Sequence, residues 1–166
     1  MYACSNRFKK TISDWFRCNK LALNETKTNY VIFHLSHKKP PENFSITLNG
    51  IELNRVKNTK FLGVIISENL KWNDHINYVS SKVSRATGIL ARLKYCLPKC
   101  VLLMIYNSLC LSHLAYAITV WGSSPPSTID RLVKLHKKGI RHVCNSKYNA
   151  HTEPLYKEMK ILNLTD

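Results

Sequence analysis

Two groups of side chains have types and spacings that could do chemistry. Cys96, Cys100, His136 and His142 are the ligand types of a structural zinc site. No Cys-x-x-Cys occurs, however, and the spacings together match no familiar zinc pattern. The other group is basic. Lys82, Arg85 and Arg92, then Arg131, Lys134, Lys138 and Arg141, recur at helical spacings. Their chemistry is electrostatic: ammonium and guanidinium groups tracking the phosphates of a nucleic acid. An ordinary solvated face is the alternative for each.

The composition favours the polyanion. In 166 residues the net charge is +15, with 45% hydrophobic residues, which suits a folded domain with a modest core rather than a disordered chain. No Asp or Glu lies between Asp74 and Asp130, a stretch that also holds Lys94 and Lys99. Such a balance points to nucleic acid or an anionic membrane surface. Residues 101–128 carry no charge, and Val101–Trp121 is long enough to span a bilayer. Asn107, Ser108, Ser112, His113 and Thr119 interrupt it, so two buried helical pieces are expected and no membrane span. The first residues are polar and basic, not a secretory leader. An intracellular protein, nuclear or cytoplasmic and not secreted, is expected. Cys4, Cys18, Cys96, Cys100, Cys110 and Cys144 then read as free thiols buried for packing, with no metal.

The elements that position these residues change character along the chain. Asn6 can cap a helix to about Leu21, with Phe8, Ile12, Trp15 and Phe16 on one face. Thr28–Leu35 reads as a strand. Residues 37–43 are a loop broken by Pro40 and Pro41. Ile46–Leu53 alternates around Asn49-Gly50, which predicts a hairpin with a type I′ turn. Lys60–Ile66 reads as a further strand. Asn73 caps a long helix to about Tyr95, with Ile76, Val79, Val83, Ala86, Leu90 and Leu93 as its packing seam. Pro98 opens a helix apolar nearly all round, expected to be central. A last long helix runs from about Ser127 to Cys144, burying Ile129, Leu132, Val133, His136, Ile140 and Val143. A short helix is expected near Pro154–Met159. The fold class is α+β: a helix with antiparallel strands and a hairpin over 1–69, an all-α helical bundle over 70–147, and a tail over 148–166.

Several segments, in order, are similar to one family. Trp15-Phe16 with Asn19–Asn24 and Lys27-Thr28 resembles the "WF..NKL.LN..KT" segment of non-LTR (LINE-type, jockey-like) retrotransposon reverse transcriptases. Lys60-Phe61-Leu62-Gly63-Val64 resembles their "KFLGV" strand. Leu70-Lys71-Trp72 with His75-Ile76 resembles the "L.W..HI" entry to the thumb, and Tyr116 with Trp121-Gly122 resembles its "Y...WG". Arg141 falls where the family has an arginine after a Gln–Lys/Arg pair, although His136-Lys137-Lys138 stands here in place of the glutamine.

The resemblance implies the last part of a polymerase palm followed by a thumb. Lys60, Phe61, Leu62 and Gly63 would belong to the primer grip; for Phe61 and Leu62 a core role is the alternative, and Gly63 would permit close backbone approach or a bulge. Lys27 would lie near the incoming nucleotide and assist pyrophosphate departure; alternatively it simply starts a strand. Lys82, Arg85, Arg92, Arg131, Lys134, Lys138 and Arg141 would grip RNA template and DNA primer through phosphates, with little sequence preference. The intact enzyme would use Mg²⁺ clamped by paired carboxylates. No Asp-Asp occurs here, and the ten acidic residues are scattered. The expectation is therefore a fragment of an RNA-directed DNA polymerase that is inactive by itself and needs no cofactor. The alternatives are an independent basic helical RNA- or DNA-binding module, or an inert truncated product.

Overall fold

A computed structural model describes residues 3–35, 37–38 and 44–164, with side chains from Thr11 onward. The chain divides into two compact units, Met1–Phe61 with Ile66–Leu70, and Leu62–Ile65 with Lys71–Asp166. Helices dominate and the strands are short, consistent with α+β.

In the first unit, helix α1 spans Ala3–Cys18, so Asn6 lies inside the helix rather than at its cap. On its expected apolar face Trp15 is exposed and Ile12 and Phe16 are half-buried, while the side chain of Phe8 lies outside the described residues. The expected strand over 28–35 shrinks to β1, Asn29–Tyr30, beside β4, Asn54–Arg55. The pair is parallel, which corrects the all-antiparallel expectation. Beyond it Tyr30 accepts a bond from the Val56 amide, whereas the His34 amide donates to Glu68. The segment thus bonds two separate stretches, and no longer ladder accumulates.

The hairpin forms as its sequence predicts. β2, Thr47–Leu48, pairs antiparallel with β3, Ile51–Glu52, and Asn49 and Gly50 take φ of 50° and 82°, the positive pair a type I′ turn requires. The loop expected around Pro40 and Pro41 lies largely outside the described residues.

Residues 60–66 do not form one strand. β5, Asn58–Phe61, turns at Leu62-Gly63 and returns as β6, Val64–Ser67. Leu62 and Gly63 have φ of 45° and 84°. The tip, Leu62–Ile65, groups with the second unit.

That unit is built on α2, Asn73–Leu93, and α6, Pro126–Val143, which pack along each other. Asn73 is the first helical residue; the cap position is Trp72, without a side-chain bond. The seam of α2 is buried as expected except for Leu93, which is half-buried at the helix end, and His75, Ser80 and Thr87 are added to it. Thr87 satisfies its hydroxyl on the Val83 carbonyl, 2.8 Å away. Between the long helices run α3, Lys99–Tyr106, a π-helical turn over Asn107–Leu111, α4, Ser112–Ala115, and α5, Ile118–Trp121. The apolar stretch therefore breaks after α4, where Ala117 has φ 52°. Leu102, Tyr106, Cys110, Leu114 and Trp121 are buried, but Met104, Leu109 and Val120 are exposed, so the segment is not enclosed on every side. Among the described residues no helix is long and apolar enough to cross a membrane.

On α6, Leu132, His136, Gly139, Ile140 and Val143 are buried. A Cβ on Gly139 would lie 2.9 Å from the Tyr106 ring, so glycine is what lets α3 and α6 approach. The short helix α7, Glu153–Met159, closes the core by burying Tyr156, whose ring lies 5.0 Å from that of His136.

Candidate nucleic-acid interface

The turn at Leu62-Gly63 is held by residues distant in sequence. Tyr116 donates its hydroxyl to the Leu62 carbonyl, and a Cβ on Gly63 would stand 3.2 Å from the Tyr116 ring. Tyr116 is itself fixed by Trp121, whose indole nitrogen donates to the Tyr116 carbonyl at 3.0 Å. Trp121 is fully buried, with its ring tilted against that of His75 at 6.0 Å between centroids. His75 Nδ1 accepts from the Ile65 amide at 3.3 Å, which fixes the proton on Nε2 when the ring is neutral. Burial lowers the pKa of His75 and so favours that neutral form.

The result is a braced turn that leaves apolar side chains in solvent. Phe61 is 62% and Leu62 74% exposed, which removes the core-strand alternative for both. Lys60 is also exposed. Lys27 lies in a 3-10 turn, Glu25–Lys27, whose cap is Asn24; its backbone amide donates to the Asn24 side chain at 3.1 Å. Its side chain is exposed, just ahead of β1 rather than at its start. The bond from Asn49 holds the neighbouring Glu25 carboxyl below its ordinary pKa.

The basic residues separate into distinct surfaces. Lys134, Lys138 and Arg141 line one groove with Lys94, at the end of α2, and His142. Ser146 and Tyr148 complete its lining. Arg131 lines a different depression beside Asn73, Asn77 and Thr128. Lys82, Arg85 and Arg92 lie along one side of α2, with the Lys82 ammonium over the Tyr78 ring at 5.6 Å. Neither depression includes them.

Within the groove, Lys134 pairs with Asp130 at 2.6 Å. Among the described residues Lys94 and Lys138 have no carboxylate partner. Burial, then the charges of Lys94 and Lys138, hold the His142 pKa below its ordinary value. Arg141 does structural work as well: its Nε donates to the Ala150 carbonyl at 2.9 Å, tethering the loop that follows α6. Sequence reasoning missed Lys94 as a member of this groove, and missed His142 and Tyr148 as well. His142 is on α6 itself, but the link of Lys94 and Tyr148 to that helix depends on how α2 ends and how residues 145–150 fold back, which helical spacing does not encode.

The expected burial of the cysteines is corrected, the Cys4 side chain lying outside the described residues. Cys18, Cys96 and Cys100 are exposed thiols, Cys144 is half-buried, and Cys110 is buried, where desolvation raises its pKa to about 11. Cys96 follows the end of α2, and Cys100 lies in the first turn of α3, two places with little covering structure. Among the described residues no three His, Cys, Asp or Glu side chains converge as metal ligands.

The chain is similar to several curated proteins. It is 23% identical over 164 residues, 96% of its length, to a probable RNA-directed DNA polymerase from transposon X-element of Drosophila melanogaster, covering 18% of that protein. It is 24% identical over 158 residues, 92% of its length, to the RNA-directed DNA polymerase from mobile element jockey of Drosophila funebris, covering 17% of it. A third match, 25% identical over 113 residues, is a retrovirus-related Pol polyprotein from a type-1 retrotransposable element of Bradysia coprophila, with 65% of this chain and 11% of that protein covered. The chain thus spans less than a fifth of the length of these relatives. No family model and no solved structure matches it.

Proposed function

We propose, from the premise that the homologues of this chain are RNA-directed DNA polymerases of non-LTR retrotransposons, that it forms the primer-grip and thumb portion of such an enzyme and binds template–primer without polymerising. The carrying observation is the convergence of three family-like segments. Tyr116 with Trp121 lies some 54 residues from Lys60–Val64 and His75 ten from Ile65, yet both brace the turn of the first segment. Leu62 is exposed at this braced turn, with Phe61 exposed beside it in sequence, an arrangement suited to contacting the sugar and base edges of a primer end. The basic residues of α2 and α6 supply the phosphate contacts.

Catalysis is a separate matter. Two-metal phosphoryl transfer needs carboxylates that converge, and the ten acidic residues include no adjacent pair. Fluorescence anisotropy with an RNA–DNA hybrid at two salt concentrations tests the binding. Affinity should fall steeply as salt rises, because bound phosphates release counterions. A folded protein that ignores the hybrid at low salt would refute the reading. Mg²⁺-dependent primer extension on a poly(rA) template should give no product, and robust synthesis would overturn the proposed inactivity.

A further inference from the structure

We infer that the groove between the end of α2 and α6 is a binding site for a single-stranded stretch of nucleic acid, with phosphates on Lys94, Lys138 and Arg141 and an unpaired base on Tyr148. This deepens the template–primer reading and rests on it for the class of ligand.

The groove offers cationic groups on a concave surface. Among the described residues its lining contains no carboxylate and no Val, Leu, Ile, Met or Phe. An anionic lipid surface would be met by several insertable apolar residues, and among the described lining residues Tyr148 is the one large apolar side chain. A phosphate would instead find two lysines without a carboxylate partner among the described residues and a guanidinium beside them.

Tyr148 decides the form of the nucleic acid. It is 89% exposed, and it sits at the groove rather than on a remote loop. Its loop is built to stay there. The Ser146 amide donates to the Arg141 carbonyl at 2.9 Å, the Ala150 amide to the Lys147 carbonyl at 3.1 Å, and Arg141 Nε to the Ala150 carbonyl. Arg141 is thus a positioning residue for Tyr148 as well as a charge. A second exposed ring, Tyr95 at 76%, lies under the Lys94 ammonium, 4.6 Å from its centroid. Aromatic faces beside a cationic groove are the recurring arrangement for single strands, because every base has a face to stack. A duplex keeps those faces inside its own stack and would use only the phosphate contacts.

The test compares a labelled 12-nucleotide oligo(rU) with a blunt RNA–DNA hybrid of equal length, by anisotropy at constant salt. Tyr148→Ala should weaken oligo(rU) binding about tenfold, the scale of one base stack, and leave the hybrid unchanged. Tyr148→Phe should restore oligo(rU) binding, since the ring and not the hydroxyl does the stacking. Lys94→Ala with Lys138→Ala should weaken oligo(rU) binding and flatten its salt dependence. Equal effects of Tyr148→Ala on both ligands, or none on either, would overturn the inference while leaving hybrid binding as support for the proposed function. Oligo(rU) binding with the expected Tyr148 dependence but no hybrid binding would uphold the groove and remove the template–primer reading. Binding to anionic vesicles as tight as to oligo(rU) would also overturn it.

Discussion

His136 shows how far one residue can set the behaviour of the bundle. It is 1% exposed, lies edge-on to Tyr106 at 6.0 Å and against Tyr156, and among the described residues neither ring nitrogen has a hydrogen-bond partner. Burial, aided by the charge of Lys137, lowers its pKa to about 4. In the unfolded chain a histidine titrates near 6.5. Above that value both states are neutral and the folded state keeps its full stability. As the pH falls from 6.5 towards 4 the unfolded chain takes up the proton first, so stability is lost across that window. His75 and His142 are shifted in the same direction and add to the loss. Urea denaturation should therefore show the protein less stable at pH 5 than at pH 7 by about 2 kcal/mol from His136 alone. His136→Leu should cut that difference substantially, and because it removes two buried polar atoms without partners it should cost little at pH 7. An undiminished acid loss in the variant would mean that other groups govern it.

Among the elements, two mid-helix glycines give opposite predictions. Nothing lies within 4 Å of a Cβ placed on Gly88, in α2, so Gly88→Ala should stabilise the protein by about 0.5–1 kcal/mol through helix propensity. A Cβ on Gly139 meets the fully buried Tyr106 ring, which has no room to retreat. Gly139→Ala should destabilise by about 1–3 kcal/mol despite the same propensity gain. Matching signs in chemical denaturation would refute the steric account. The same contrast explains what was legible in the sequence. Asn49-Gly50 announced its turn because both residues tolerate positive φ and the flanks alternate. Leu62-Gly63 did not, because leucine rarely adopts that conformation and Lys60–Ile66 reads locally as one apolar strand. The turn depends on Tyr116 and on the close approach that Gly63 allows, a contact 54 residues away. The seams of α2 and α6 were legible because burial follows the helical period. The groove was only half legible: α6 supplied Lys134, Lys138, Arg141 and His142, but Lys94, Ser146 and Tyr148 come from a helix end and a returning loop.

At the scale of the whole molecule the net charge of +15 acts on folding and on binding with opposite signs. Some of the positive charges are paired locally among the described residues. Lys99 is joined to Glu158 of α7, Lys134 to Asp130, Arg55 to Glu68 and Arg17 to Asp14, and in three of these four pairs both side chains are at least 40% exposed. Exposed pairs contribute about 0–1 kcal/mol each, so they offset little of the mutual repulsion. That repulsion destabilises the compact state and is screened by salt, the Debye length falling from about 10 Å at 0.1 M to about 3 Å at 1 M. Raising the salt should therefore increase the melting temperature of the free protein over the same range in which it weakens nucleic-acid binding. A bound polyanion should stabilise the protein most at low salt, where the unliganded chain is weakest and the complex tightest. Thermal melts with and without an RNA–DNA hybrid, at about 0.05 and 0.5 M salt, should thus converge as salt rises: the free protein melts higher and the complex melts lower. Parallel curves, with a hybrid-induced shift independent of salt, would mean that binding does not draw on the positive field. The basic residues of α2 and α6 would then be solvated faces rather than a grip.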